Sequence, residues 1–348
     1  MTPVELSRTV LHAVRRAVEE GELAVAVPER VVVAPPGPGG CGDYATNVAL
    51  QIARSAGQPA PRVAEVIRGQ LLRAGGIREV VVTGPGFINM RLQDAASADL
   101  VREILRCGSR YGHGSRNGSG SSGGGGVVSL RAARDVRAVV QLDVVARLLR
   151  SQGCVVETSC AGALDTAWGS GLGVRVDRTG GDGPVGVRPV PVSFDPLPLG
   201  RDAGRWALLY PAPGDRPRAG DEYLVQRESN PLFRVRYAHA RCRAAVRNAG
   251  DLGFGAEPGS VEAPGLVQAL ADYPRVLAGA ADHRSPDRLA RHLVTVADAV
   301  LPLLPGVLPL GEEKPSAAHR ARLALAEAAG TVLAGGLSLL GIDAPDHL

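Results

Sequence analysis

The sequence predicts a multidomain α+β protein: an N-terminal α/β domain, a small βαβ unit in the middle, and an all-α helical bundle towards the C-terminus. Three observations lead there. Helical and strand patterns alternate up to about residue 110, a Gly/Ser tract separates them from one strand–helix–strand pattern, and beyond residue 221 only helical periodicity remains. These shifts divide the chain at 1–110, 111–126, 127–220 and 221–348. At 348 residues there is room for two or three cores.

Residues 4–20 read as a helix carrying Val4, Leu11, Val14 and Val18, with a strand at 31–33 and a Pro/Gly turn region at 35–42. Asp43 is placed to cap a helix over 46–54. A second helix begins near Pro61 and sets Val63, Ile67 and Leu71 at i, i+4, i+8. Strands follow at 79–83 and 87–92 around a Gly-Pro-Gly turn, and a helix over 97–106 closes the domain. In the strand 87–92, Ile88, Met90 and Leu92 share one face, and Phe87, Asn89 and Arg91 share the other. An aromatic, an amide and a cation in a row suit stacking on an unpaired base, reading its edge and holding its phosphate. A half-solvated edge strand is the plain alternative.

The Gly/Ser tract lacks the fixed-glycine frame of a phosphate-cradling loop and reads as a flexible linker with a span of roughly 20 Å. Beyond it come a strand at 127–130, an apolar helix over 135–151 and a strand at 154–158, one βαβ unit. Residues 161–220 are rich in Gly, Pro and Arg, with Trp168 and Trp206 as core anchors, and no chemistry is assigned to them.

The helix over 230–247 starts at Pro231, which a first helical turn tolerates. From Ser229 to Gly250 it carries five arginines and no carboxylate: Arg234, Arg236, Arg241, Arg243 and Arg247. Arg236, Arg243 and Arg247 fall close to one face, while Tyr237 and Arg241 lie at i and i+4 on a neighbouring stripe. Such a face suits single-stranded RNA; a solvated charged face is the alternative. Helical periodicity over 261–277, 286–304 and 319–339 completes a bundle in which Pro302 and Pro305 would kink or end the segment 286–304.

Charge is spread unevenly. Residues 1–112 carry 13 basic and 11 acidic side chains, 113–220 carry 13 and 9, and 221–348 carry 13 and 15. Any nucleic-acid site must therefore be a local patch. No apolar run long enough to span a bilayer is read from the sequence, and five cysteines without CxxC spacing suggest free thiols in a reducing compartment. The expectation is a cytoplasmic protein with no membrane partner. Scattered histidines and the lack of a metal-ligand spacing or a Ser/His/Asp set predict no metal and no cofactor.

Residues 221–241, with Asn230-Pro231 and Tyr-Ala-His-Ala-Arg at 237–241, resemble the start of the helical anticodon-binding domain of arginyl-tRNA synthetases. Gly-Asp-Tyr-Ala-Thr-Asn at 42–47 and Gly-Pro-Gly-Phe-Ile-Asn at 84–89 are similar to that family's extra N-terminal domain. The resemblance implies a tRNA-elbow domain at 1–110, a degenerate nucleotide-fold remnant at 127–220 and an anticodon-binding-like domain at 221–348. It implies D-loop contacts for Phe87 and Asn89, anticodon contacts for Tyr237 and Arg241, and tRNA, of the arginine type, as partner.

Departures from the family matter equally. Counting back from Asp143 and Arg147, the HxGH signature falls on Ala132, Ala133, Arg134 and Asp135, and a KMSK-type loop is excluded because the chain's only lysine is Lys314. Losing such donors costs about 10²–10³ in rate each. The stretch 113–220 is also far shorter than that family's catalytic domain. Family aromatic positions fall on Val300, Leu303 and Leu304. The reading is a non-catalytic paralogue that binds tRNA; its rival is a regulatory or protein-interaction module that has kept the fold and lost the RNA.

Overall fold

Helix α1 (Pro3–Glu19) buries Leu6, Val10, Ala13, Val14 and Ala17, the stripe of an amphipathic helix. The computed structural model describes residues 3–37, 40–92, 94–114, 127–180, 186–218 and 220–348. It divides into two units, 1–102 with 258–272, and 103–257 with 273–348.

In the first unit β1 (Val33–Ala34), β2 (Tyr44–Thr46), α2 (Val48–Ala56), α3 (Ala60–Leu72), β3 (Ile77–Thr83) and β4 (Phe87–Leu92) follow one another, and α4 (Asp94–Cys107) runs from it into the second at residue 103. The sheet has the order β1-β2-β4-β3. Every pairing is antiparallel, which corrects the α/β expectation. The reason is local: β3 and β4 are joined by the tight turn at 84–86, with no crossover helix to make them parallel. Val63, Ile67 and Leu71 of α3 are fully buried, as their spacing requires, against Leu6, Val10, Ile88 and Met90.

Two further corrections concern residues 42–47. They form β2, which sequence periodicity does not reveal because three residues are too few. Asp43 caps no helix: its N–H donates to Met90 O at 2.9 Å and its Oδ2 accepts from Leu92 N at 2.8 Å, extending the β2–β4 ladder. Gly42 precedes it at φ 82°, and a Cβ there would lie 2.7 Å from Met90 O. Glycine is thus required by both conformation and space.

In the second unit β5 (Val128–Ala132), α5 (Val136–Ser151) and β6 (Val156–Cys160) make the predicted parallel βαβ unit, paired from Val128↔Val156 to Ala132↔Cys160. Then come α6 (Thr166–Leu172), a third parallel strand β7 (Arg178–Thr179) and α7 (Gly200–Leu209). Trp206 is fully buried, while Trp168 is only half-buried and anchors less than expected. Of the predicted linker, 115–126 lies outside the described residues. Tyr111 is buried and stacks on Tyr273 at 6.0 Å, so residues 111–114 pack as part of this unit.

Two arginines organise the middle segment. Arg137 is fully buried and donates to five carbonyls: Leu208 (3.0 Å), Val190 (2.8 Å), Asp215 (2.7 Å), Pro211 (3.0 Å) and Ala212 (2.8 Å). Irregular backbone with no sheet partners is thereby satisfied by one planar, five-donor cation. Arg205, equally buried, donates to Leu172 O (2.9 Å), Leu340 O (2.8 Å) and Asp143 Oδ2 (2.6 Å). It closes the C-terminal ends of two helices, where a cation is favoured.

The bundle comprises α8 (Pro231–Asp251), α9 (Pro264–Asp282), α10 (Pro286–Val300) and α11 (Ala317–Leu340). Asn230 caps α8, its side chain accepting from Leu232 N and Phe233 N. Helix α10 stops at Val300, short of Pro302, as the prolines predict. Residues 127–220 share one unit with α8, α10, α11 and the part of α9 from Tyr273 on, and Arg205 and α5 are packed against α11. Helix α11 is long and apolar enough to cross a membrane, but 72% of its apolar window is buried inside the protein, as in the core helix of a bundle.

Candidate nucleic-acid interface

Spacing on α8 builds the candidate site. Phe233, Tyr237 and Arg241 recur at i, i+4, i+8 on one stripe. Phe233 and Tyr237 stack with ring centroids 5.5 Å apart, and the Arg241 guanidinium lies 5.7 Å from the Tyr237 ring centre while Nη1 donates to Tyr237 Oη at 3.1 Å. The stripe faces a groove of about 590 Å³. Leu301, Leu304 and Pro305 form its aliphatic wall, and Arg227 and Glu228 stand at its rim. Aromatic and aliphatic side chains with cations beside them are the groups that stack a planar ring and hold a phosphate.

Sequence reasoning missed Phe233 and Arg227, although the Phe233–Tyr237 interval was a visible signal. It assigned the family's aromatic positions to Val300, Leu303 and Leu304. Leu304 does lie on the groove wall, but Val300 is fully buried in the core, and Leu301 lines the groove.

The remaining arginines are placed differently from the predicted open face. Arg236 reaches Asp202 of α7 at 3.5 Å, and Arg234 pairs with Asp298 of α10. Arg243 Nε donates to Asp346 Oδ1 at 3.0 Å, and Arg247 Nη2 donates to Asp346 O at 3.2 Å. The helix is continuous and the periodicity correct, but carboxylates far away in sequence face those positions. His239 is buried, and its Nδ1 lies 3.0 Å from Pro345 O; desolvation pushes its pKa down, consistent with a core role.

In the first unit Phe87 is 41% exposed at the start of β4, and Arg91 is exposed beside Glu79 at 3.1 Å. Asn89 is 2% exposed and not open to solvent as predicted. Its Oδ1 accepts from Cys41 N (3.4 Å) and its Nδ2 donates to Val81 O (3.2 Å) and Thr83 Oγ1 (2.8 Å). The loop before β2 covers this residue, so its amide holds protein rather than facing solvent.

Of the residues that the sequence count assigns to the nucleotide signature, Ala132 ends β5 and Asp135 caps α5, its Oδ1 accepting from Ala138 N at 3.0 Å. A carboxylate thus already occupies the helix N-terminus where an anion would otherwise be favoured. Among the described residues no group of three or more His, Cys, Asp or Glu could hold a metal ion.

Comparison with known proteins matches residues 5–92 to the family described as arginyl tRNA synthetase N terminal domain, and residues 235–348 to the DALR anticodon binding domain. Over 113 residues the chain is 43% identical to the arginine–tRNA ligase of Frankia alni, covering 32% of this chain and 20% of that protein. Over 165 residues it is 38% identical to that of Pseudarthrobacter chlorophenolicus, covering 43% of this chain and 30% of the relative. The chain therefore spans only a fifth to under a third of these relatives. Arginyl-tRNA synthetase structures from Thermus thermophilus and Plasmodium falciparum both give a TM-score of 0.70, at 15% and 10% identity, covering 100% and 99% of each chain. The likeness is one of fold.

Proposed function

We propose that this relative of the arginyl-tRNA synthetases, built from that family's N-terminal domain and a DALR anticodon binding domain, binds tRNA without aminoacylating it. The groove of Phe233, Tyr237 and Arg241 carries the reading, because it offers an unpaired nucleotide a stacking platform and a cation together. Phe87 and Arg91 supply contacts in the first unit, with Asn89 as the residue that positions their strand. Arginine-type tRNA is the proposed ligand. The five cysteines are free thiols, which fits a reducing, cytoplasmic setting.

The non-catalytic part of the proposal is supported by Ala132, Ala133, Arg134 and Asp135 at the signature positions and by the lack of any lysine besides Lys314. These differences are internal to the chain, between the two matched domains. Purified protein given ATP, arginine and tRNA is expected to form no arginyl-tRNA above background; steady accumulation of charged tRNA would refute this part alone.

A tRNA-binding measurement by fluorescence anisotropy at two salt concentrations tests the main reading, with an arginine tRNA set against an unrelated one. Binding should weaken with salt by a log–log slope of about −0.7 to −0.9 per phosphate neutralised. The internally paired arginines favour the rival, a protein-interaction module, and no binding at low salt would leave that reading in place.

Phe87 and Asn89 should separate cleanly. Phe87→Ala is expected to lower tRNA affinity while leaving the unfolding transition unmoved. Asn89→Ala leaves Cys41 N, Val81 O and Thr83 Oγ1 without that partner and should destabilise the first unit by about 1–3 kcal/mol. Urea melts followed by circular dichroism read the second effect; equal melts for both variants would contradict the assigned roles.

A further inference from the structure

Outside the aromatic groove, Arg243 and Arg247 converge on one short segment, Pro345 to His347. Asp346 presents one carboxylate oxygen to Arg243 Nε (3.0 Å) and its main-chain oxygen to Arg247 Nη2 (3.2 Å), with His347 Nδ1 at 3.4 Å from the same nitrogen. The match is incomplete, since Arg247 Nη1 is buried with no hydrogen-bond partner. Arg243 thus takes the one carboxylate, while Arg247 is left with a main-chain oxygen and an unused donor. A phosphodiester would serve them better, having charge and several acceptor oxygens at one point. Both groups in the Arg243–Asp346 pair are about half exposed, at 43% and 49%, so solvent-borne anions can compete for it.

We infer that Arg243 and Arg247 form a second phosphate-binding site on α8, distinct from the aromatic groove, which the protein's own Asp346 occupies until an RNA backbone phosphate displaces it. This rests on the RNA-binding reading above and adds to it a competitor built into the chain. The Arg243 hydrogen bond holds the Asp346 carboxyl below the usual carboxylate range, which favours its charged form. Free protein therefore shows a muted basic face, and bound protein gains a backbone contact. Affinity for RNA is lowered by the strength of the internal pair.

The test compares wild type, Asp346→Asn and Asp343→Asn, the last removing a nearby carboxylate that pairs instead with Arg201 at 3.7 Å. Asp346→Asn should tighten tRNA binding by about two- to five-fold and leave the salt slope unchanged, because the same phosphate is bound in both proteins. Adding Arg243→Gln should abolish the gain and flatten the slope by about 0.7–0.9, one phosphate fewer. Equal gains from Asp346→Asn and Asp343→Asn, or none from either, would overturn the inference while leaving tRNA binding by the groove intact. A second readout needs no RNA: the Arg243 Nε–H resonance of Asp346→Asn, titrated with inorganic phosphate, should shift at lower concentrations than in wild type. If no tRNA binds yet that resonance responds, the RNA reading fails and the anion site stands; if neither responds, the site fails too.

Discussion

Tyr237→Ala is expected to weaken tRNA binding by roughly five- to 150-fold, the equivalent of about 1–3 kcal/mol for one lost base stack. Phe233→Ala should fall in the same range, because the two rings form one platform at 5.5 Å and removing either halves the surface. The double variant should lose less than the sum, since the rings are in contact and act together. Tyr237→Phe separates stacking from hydrogen bonding: it keeps the ring and removes only the oxygen that accepts from Arg241, so its cost should stay near about 1 kcal/mol. Both rings are half-buried, and neither is part of the bundle's fully buried core. The unfolding transition should therefore move little, and anisotropy then reports binding alone. A Tyr237→Ala protein with wild-type affinity and salt slope would remove the groove from the proposal.

What the sequence made legible follows the range of the interactions involved. The start of α8 depends on Asn230 and Pro231, neighbours whose cap and fixed φ act within one turn, and it was readable. Strand β4 was readable because its turn and its alternation are also local. Asn89 was misplaced because burial of its face comes from the loop at Cys41, 48 residues away, which no alternation rule encodes. The same holds for Arg243, whose partner Asp346 lies 103 residues on. Periodicity put Arg236, Arg243 and Arg247 on one face correctly; it could not say that protein rather than solvent lies opposite. Phe233 is the exception, a local signal at the right interval that the weight of arginines around it obscured.

Arg137 was hidden for the opposite reason: it sits in an apolar helix where a single cation reads as a surface position. Its replacement by methionine is expected to destabilise the second unit by about 3–5 kcal/mol, the cost typical of leaving a buried polar network without one partner. Methionine can fill much of the volume, so the loss comes from the carbonyls of Leu208, Val190, Asp215, Pro211 and Ala212. Arg137→Lys should recover only part of it, since an ammonium has three donors against five and no planar fork. The chain supplies its own reporter: its two tryptophans, Trp168 and Trp206, both lie in the second unit. The tryptophan-fluorescence midpoint in urea should fall by roughly 1–2 M. An unchanged midpoint would mean that water replaces the guanidinium at little cost. The consequence reaches α8, because α7, which ends at the carbonyls Arg137 holds, also carries Asp202, the partner of Arg236 on α8. The middle segment thereby has a mechanical role, in that it braces the helix on which the groove is built.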